Sequence, residues 1–190
     1  VPDVPKPLAP VQNKPFLFYL INNWIDQGVR EFIFLLHYEA DKIIKFLENS
    51  EFKKLNPNLK ISYVVEPVPL GTGGAVKFAL EQYSIDGPFL VANADTWLGK
   101  GVQSLIASPL PSIVTVAVSN VSRYGEVYIN DGIVESFAEK CQTYKKGQVN
   151  AGMYLLSAGP FLELTETTFS IETAILPKLV AAKKLGATPL

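Results

Sequence analysis

Apolar positions along this chain keep two different rhythms. Phe16, Leu17, Leu20, Ile21, Trp24 and Ile25 recur at helical spacing, which predicts a helix over 16–27 with Gly28 as its stop. Val29 to Leu36 holds the continuous run F-I-F-L-L, the pattern of a strand covered on both faces. Glu39 to Glu48 returns to helical spacing, with Ile43, Ile44 and Leu47 on one side. Residues 60–66 read as a strand, 75–83 as a helix, and Pro88 to Asn93 as a short apolar strand. Alternating strand and helix predicts a parallel sheet covered by helices and joined by right-handed crossovers.

Beyond residue 110 the grammar changes. Ser112 to Ser119 and Glu126 to Asn130 read as strands, Asp131-Gly132 as a hairpin turn, and Ile133 to Phe137 as its return strand. Val149 to Leu156 is a further strand. Ile171 to Lys184 is predicted as a helix with Ile175, Leu176, Leu179 and Val180 inward. Residues 1–15 carry five prolines (2, 5, 7, 10 and 15) and must be extended or turning. The expectation is one α/β domain over 1–190: a Rossmann-like, mixed but mostly parallel sheet flanked by helices, with a β-hairpin half after it.

With 48% hydrophobic residues in 190, a full core can form. Charge is balanced, 17 basic against 18 acidic, so bulk attraction to nucleic acid or an anionic membrane is not expected. No apolar run approaches a membrane span, and the first residues lack the apolar stretch of a signal peptide. Cys141 is the one cysteine, so no intrachain disulfide forms; a reducing, cytoplasmic setting is the expectation. With His37 the one histidine, on a distant stretch, Cys141 reads as a bystander and His37 as a strand-end polar residue. Tyr19, Trp24 and Trp97 read as core residues, with Trp97 alternatively walling a sugar pocket. The chain opens V-P-D-V-P-K-P without a first strand, so residues before position 1 are expected to belong to the protein.

Candidate chemistry concentrates in E-P-V-P-L-G-T-G-G-A, residues 66–75. Glycines at 71, 73 and 74 allow a backbone to pass close to a flat or anionic ligand where a Cβ would clash. The helix start beyond them is expected to offer unpaired N–H groups. Glu66, at the strand end, can accept both adjacent donors of a guanine edge, N1–H and the exocyclic amine. A plain solvated strand-end glutamate is the equal alternative. In N-A-D-T (93–96), Asp95 stands at a strand tip where one carboxylate, phosphate oxygens and water suit Mg²⁺; capping a turn is the other reading. Lys6, stiffened between Pro5 and Pro7, could steady charge on a reacting phosphate or simply be solvated. Tyr124-Gly125 and Asn150-Ala151-Gly152 could let a sugar approach backbone groups, or be ordinary turn and strand glycines.

These segments, taken in order, resemble the sugar-1-phosphate nucleotidyltransferases. The landmarks are P-K-P-L-A-P-V-Q-N-K-P-F (5–16), Glu66 with P-L-G-T-G-G-A (69–75), N-A-D-T (93–96), S-R-Y-G-E-V (122–127), F-A-E-K (137–140), N-A-G-M-Y (150–154) and F-S-I-E (169–172). The nearest flavour is bacterial guanylyltransferases acting on mannose or manno-heptose 1-phosphate. The resemblance implies the nucleotide-diphospho-sugar transferase fold. It also implies attack of a sugar phosphate on a nucleoside triphosphate, GTP in preference, with Mg²⁺. By the same resemblance Lys6 binds phosphate and Asp95 the metal. Glu66, Gly71 and Thr72 line the base; Gly125, Glu139, Lys140, Asn150, Gly152 and Glu172 face the sugar 1-phosphate. Two family features are missing from these residues: the G-G-x-G-T-R strand-loop upstream of P-K-P, and a second metal-binding Asp near the C-terminal end. Both are expected in a longer protein.

Other classes stay in view. A non-catalytic nucleotide-sugar regulatory subunit would share the fold. A glycosyltransferase would commonly show D-x-D where this chain has Asn93-Ala94-Asp95, and a dinucleotide oxidoreductase would place G-x-G-x-x-G after its first strand. The sugar is not fixed by the residues, nor is the choice between monomer and homo-oligomer.

Overall fold

A computed structural model describes residues 4–138 and 144–190, the Lys53 side chain excepted. Glu139, Lys140 and Cys141, singled out above, lie outside the described residues. The chain enters through a 3-10 turn, Lys6–Leu8, and a two-stranded ribbon, β1 (Pro10–Val11) with β2 (Lys14–Pro15). Helix α1 (Phe16–Asp26) follows and buries Leu17, Leu20, Ile21, Trp24 and Ile25, the stripe its spacing predicts. Each such fully buried aliphatic side chain contributes about 1.5–3 kcal/mol. Gly28 ends the helix with φ +99°, open to glycine at no steric cost.

Strand β3 (Glu31–Leu36), helix α2 (Ala40–Asn49), a single helical turn α3 (Phe52–Leu55) and strand β4 (Lys60–Val65) come next. β3 and β4 pair in parallel, Glu31 opposite Lys60 through Leu36 opposite Val65. Helix α4 (Gly71–Gln82), strand β5 (Phe89–Ala92), helix α5 (Val102–Ile106) and strand β6 (Ser112–Val118) continue the alternation. The hairpin β7 (Glu126–Asn130) and β8 (Ile133–Ala138) turns at Asp131 and Gly132, both at positive φ (49° and 76°), the geometry that D-G favours. Then come β9 (Gly147–Leu156), α6 (Gly159–Leu162), a π-helical turn (Ile171–Ile175), α7 (Leu176–Ala181) and β10 (Gly186–Pro189).

The larger sheet has the order β5-β9-β6-β10-β8-β7. It is mixed, as expected, but less parallel than the alternation predicts. β9 inserts antiparallel between β5 and β6, so only β3–β4 and β10–β6 pair in parallel among the described residues. Strand β10, G-A-T-P, is central yet too short and Pro-ended to be read from its pattern. Two apolar clusters sandwich the strands. One gathers α1, α2 and α5 against Phe32, Leu36, Val114, Ala151 and Met153. The other gathers Val76, Leu80, Phe161, Ile171, Ile175 and Leu176 against Ile113, Tyr154 and Leu156. β3 and β5 feed both clusters: Phe34, Leu90 and Ala92 on one side, Leu35, Phe89 and Val91 on the other. They therefore share a layer, yet no ladder joins them among the described residues.

Two helices depart from their predicted bounds. α4 begins at Gly71 rather than 75, taking in glycines that disfavour a helix interior. The predicted helix over 171–184 splits into the π turn and α7. Pro177 supplies no N–H to continue a regular ladder through that point. Among the described residues, no helix is long and apolar enough to cross a membrane.

Candidate active site

Glu66 follows β4 and is half-buried. Its backbone N–H donates to Leu36 (2.7 Å), and its carbonyl lies 3.1 Å from Nδ1 of His37, the strand-end role expected of that histidine. One carboxylate oxygen, Oε2, accepts from the Leu70 N–H at 2.9 Å. The side chain thus folds over the loop it precedes, fixing the carboxylate at the mouth of α4.

The first turn of α4 leaves fewer open donors than expected, because two of its N–H groups are taken. Gly73 and Gly74 both donate their N–H groups to the Phe169 carbonyl, at 2.9 and 3.1 Å, and the Phe169 N–H donates to Leu70 at 3.0 Å. The close approach these glycines permit is to the protein itself. A Cβ at Gly71 would lie 2.7 Å from the Phe169 carbonyl oxygen; at Gly73 it would strike the Phe169 ring, and at Gly74 the Thr167 carbonyl. Segment 167–171 therefore supplies the acceptor that lets a glycine-rich stretch wind as helix. Thr72 stays exposed and bridges the two segments: its hydroxyl donates to Glu172 Oε2 (3.0 Å) and accepts from the Ile171 N–H (2.9 Å).

Glu172 continues the network. Its other oxygen accepts from the Tyr154 hydroxyl at 2.9 Å, and that hydroxyl accepts from Asn150 Nδ2 at 3.0 Å. The Asn150 Oδ1 in turn accepts from the Gly152 N–H at 3.0 Å. Gly152 has φ +71° and sits where the β6–β9 register shifts, a bulge in β9. The bulge carries its backbone against the Asn93 side chain, and the Asn93 N–H donates to the Gly152 carbonyl at 3.0 Å. The predicted base loop and the predicted sugar strand are thereby joined by one chain of hydrogen bonds, from Thr72 to Asn93 before the turn that bears Asp95, while Glu66 is bonded to Leu70 at the head of the loop. Burial pushes the Tyr154 hydroxyl well above the usual tyrosine range, and the negative charge of Glu172 adds to the effect.

Asp95 is exposed, two residues past Asn93, and among the described residues its one hydrogen bond comes from the Thr96 hydroxyl at 3.5 Å. No cluster of three or more His, Cys, Asp or Glu side chains is arranged for a metal among the described residues. A single exposed carboxylate fits an ion that draws its remaining ligands from phosphate and water, as Mg²⁺ does. Lys6 is exposed on the 3-10 turn, which packs on α1 and sends Leu8 to the core. Gly125 precedes β7, its Cα near the Ala138 carbonyl of β8, where a Cβ would come within 2.9 Å.

Trp97 is not a core residue. It is 52% exposed, edge-on to Phe16, and lines an open groove of about 450 Å³ with Tyr19, Asn22 and Asp26. Among the described residues, that groove contains none of the predicted sugar-facing ones. The sequence reading gave no role to Phe169 or Tyr154, though each lies inside a quoted landmark, F-S-I-E and N-A-G-M-Y. Their neighbours Glu172 and Asn150 drew attention because polar side chains announce chemistry, while aromatic ones announce packing.

A family model described as nucleotidyl transferase matches residues 2–187. The chain is 32% identical over 196 residues to mannose-1-phosphate guanylyltransferase 1 of Arabidopsis thaliana, covering 98% of this chain and 53% of that protein. It is 33% identical over 175 residues to the D-glycero-alpha-D-manno-heptose 1-phosphate guanylyltransferase of Campylobacter jejuni, covering 90% of this chain and 76% of that protein. Among solved structures, HddC from Yersinia pseudotuberculosis complexed with GMP-PN superposes with a TM-score of 0.84 at 35% identity, over 99% of this chain and 82% of that one. The chain spans about half the length of the first curated relatives it matches.

Proposed function

The chain belongs to the nucleotidyl transferase family, and from that premise we propose that the whole protein is a GTP:sugar-1-phosphate guanylyltransferase. Its sugar substrate is of the mannose or manno-heptose type. A phosphate oxygen of the sugar 1-phosphate attacks the α-phosphorus of the triphosphate in line. The new P–O bond forms as the bond to the β-phosphate breaks, and pyrophosphate leaves. No covalent enzyme intermediate is needed, so positioning and charge neutralisation carry the rate.

The observation that supports this reading is the hydrogen-bonded chain from Thr72 through Glu172, Tyr154, Asn150 and Gly152 to Asn93, with Glu66 bonded to Leu70, two residues before Thr72. It links the segments that this reading gives to the base and to the sugar. In this reading Glu66 keeps its second carboxylate oxygen for a guanine edge, beside Gly71 and Thr72. Asn150, Gly152, Glu172 and Gly125 face the sugar phosphate, with Glu139 and Lys140 assigned there by resemblance alone. Asp95 would hold Mg²⁺, which when bound neutralises charge on the triphosphate. Lys6 serves the reacting phosphates from its rigid Pro-flanked turn. In this reading the reaction takes place in the cytoplasm, where soluble nucleoside triphosphates and sugar phosphates are available. Among the described residues β3 and β5 share a layer with no ladder between them, which supports the expectation that a further apolar strand of the whole protein, carrying the glycine-rich arginine loop, lies between them.

The test is a pyrophosphate-release screen of the full-length protein with Mg²⁺, four nucleoside triphosphates and several sugar 1-phosphates. Turnover is expected with GTP and mannose or manno-heptose 1-phosphate. Silence across every pair would remove the enzymatic reading, and turnover confined to another nucleotide would remove the role given to Glu66.

A further inference from the structure

The reaction above needs Asn150 and Glu172 held in set orientations, and one buried group does this for both. Tyr154 is 1% exposed, packed among the residues under α4 and the π turn, and its hydroxyl lies at the centre of the polar chain. We infer that Tyr154 is a positioning residue, whose hydroxyl orients the Asn150 amide and the Glu172 carboxylate and ties sugar-side recognition to the Thr72 segment of α4. The inference rests on the proposed reaction for the identity of the ligand, and on the geometry alone for the coupling.

The direction of every bond follows from its neighbours. Asn150 Oδ1 takes the Gly152 N–H, so its amino group must point at Tyr154. The Tyr154 oxygen is thereby occupied as an acceptor, and its one proton goes to Glu172 Oε1. The Thr72 oxygen accepts from Ile171, and its proton goes to Glu172 Oε2. Both carboxylate oxygens are thus pinned by donors from different elements, β9 and α4. What is left over is one N–H on Asn150 and the remaining lone pairs of Glu172: one donor and an acceptor pair, a set suited to neighbouring sugar hydroxyls. Without the phenol the amide can rotate, and Glu172 can swing about its remaining Thr72 bond. The phenyl ring of a Phe would still fill the same space, so the apolar packing survives.

The experiment uses the full-length protein, wild type, Tyr154→Phe and Glu172→Gln. Hydrogen exchange is first measured without ligand. Tyr154→Phe should speed amide exchange at Gly73, Gly74, Ile171 and Thr173, the hydrogen-bonded amides of the two segments, about fivefold or more while the β3–β4 amides stay unchanged. Unchanged exchange at Gly73 and Gly74 would overturn the coupling. In the pyrophosphate assay, Tyr154→Phe should raise KM for mannose 1-phosphate about tenfold, the effect of losing one charge-assisted hydrogen bond. Its kcat and its KM for GTP should stay within about threefold, and Glu172→Gln should shift the same KM. An unchanged sugar-phosphate KM, or a loss confined to kcat, would overturn the positioning role. Should the wild type turn over no substrate pair, the proposed reaction falls, and the exchange measurement still decides the coupling.

Discussion

Gly152 and Asn93 are packed so closely that a single methyl group on the glycine would overlap the asparagine side chain. With the Asn93 N–H bond to the Gly152 carbonyl, the contact joins the bulge of β9 to the turn after β5. Gly152→Ala faces two costs, the overlap and a φ of +71° that alanine adopts at about 1–2 kcal/mol. We expect a loss of about 1–2 kcal/mol, or roughly 2–8 °C in melting temperature, since the exposed Asn93 side chain can give way. Adding Asn93→Ala should return only part of it, since the backbone strain stays. Equal melting of Gly152→Ala and wild type would refute this account.

Gly73 and Gly74 make a paired test of the α4 start. Alanine for glycine within a helix ordinarily stabilises by about 1 kcal/mol. Here both substitutions should destabilise, because the space is taken by the Phe169 ring at one position and the Thr167 carbonyl at the other. A side chain can be removed and a backbone carbonyl cannot. In urea denaturation, Phe169→Ala should therefore couple with Gly73→Ala, giving a double-mutant loss smaller than the sum. The same change paired with Gly74→Ala should be closer to additive.

Asp95 is exposed with a single weak hydrogen bond, so Asp95→Asn should leave stability within about 0.5 kcal/mol. Turnover that depends on Mg²⁺ should nonetheless vanish. Full activity in a folded Asp95→Asn protein would take Asp95 out of the mechanism.

The ion pair between Glu126 of β7 and Lys145 predicts the pH response of the hairpin half. The Lys145 ammonium, then the Tyr128 hydroxyl, hold the Glu126 carboxyl below its ordinary value of 4.5. The same carboxylate, with Tyr128, holds Lys145 up to about 12 against an ordinary 10.5. A depressed carboxyl contributes stability above 4.5 that is lost as pH falls through its lowered value. A raised lysine contributes fully below 10.5 and loses it as pH rises through about 12. The stability gap between wild type and Glu126→Gln should accordingly be flat near neutrality and narrow below pH 4.5. A gap that widens on acidification would contradict the pairing.

Much of this molecule was written in its local pattern. The stripe of α1, the apolar run of β3 and the D-G turn between β7 and β8 all formed where their spacing placed them, though Ile33, Phe34 and Leu35 of β3 are half-buried and not covered on both faces. Each depends on side chains a few residues apart, so a window of the sequence contains its cause. The ordered polar landmarks pointed to the family for a similar reason, since the residue types themselves carry the chemistry.

Three matters were settled only by folding. The glycines of 71–74 wind as helix because a carbonyl from Phe169 caps them, and no local window contains both partners. β9 makes the sheet mixed by entering antiparallel between β5 and β6, a choice of neighbours among distant strands. Thr72 and Glu172 meet across 100 residues because Tyr154 and the Ile171 backbone hold them there. Sequence fixes what each segment can offer: apolar faces, turns, carboxylates, hydroxyls. Which offers meet is decided by tertiary packing, since a hydrogen bond exists only at contact distance and the chain alone sets no distance between remote residues.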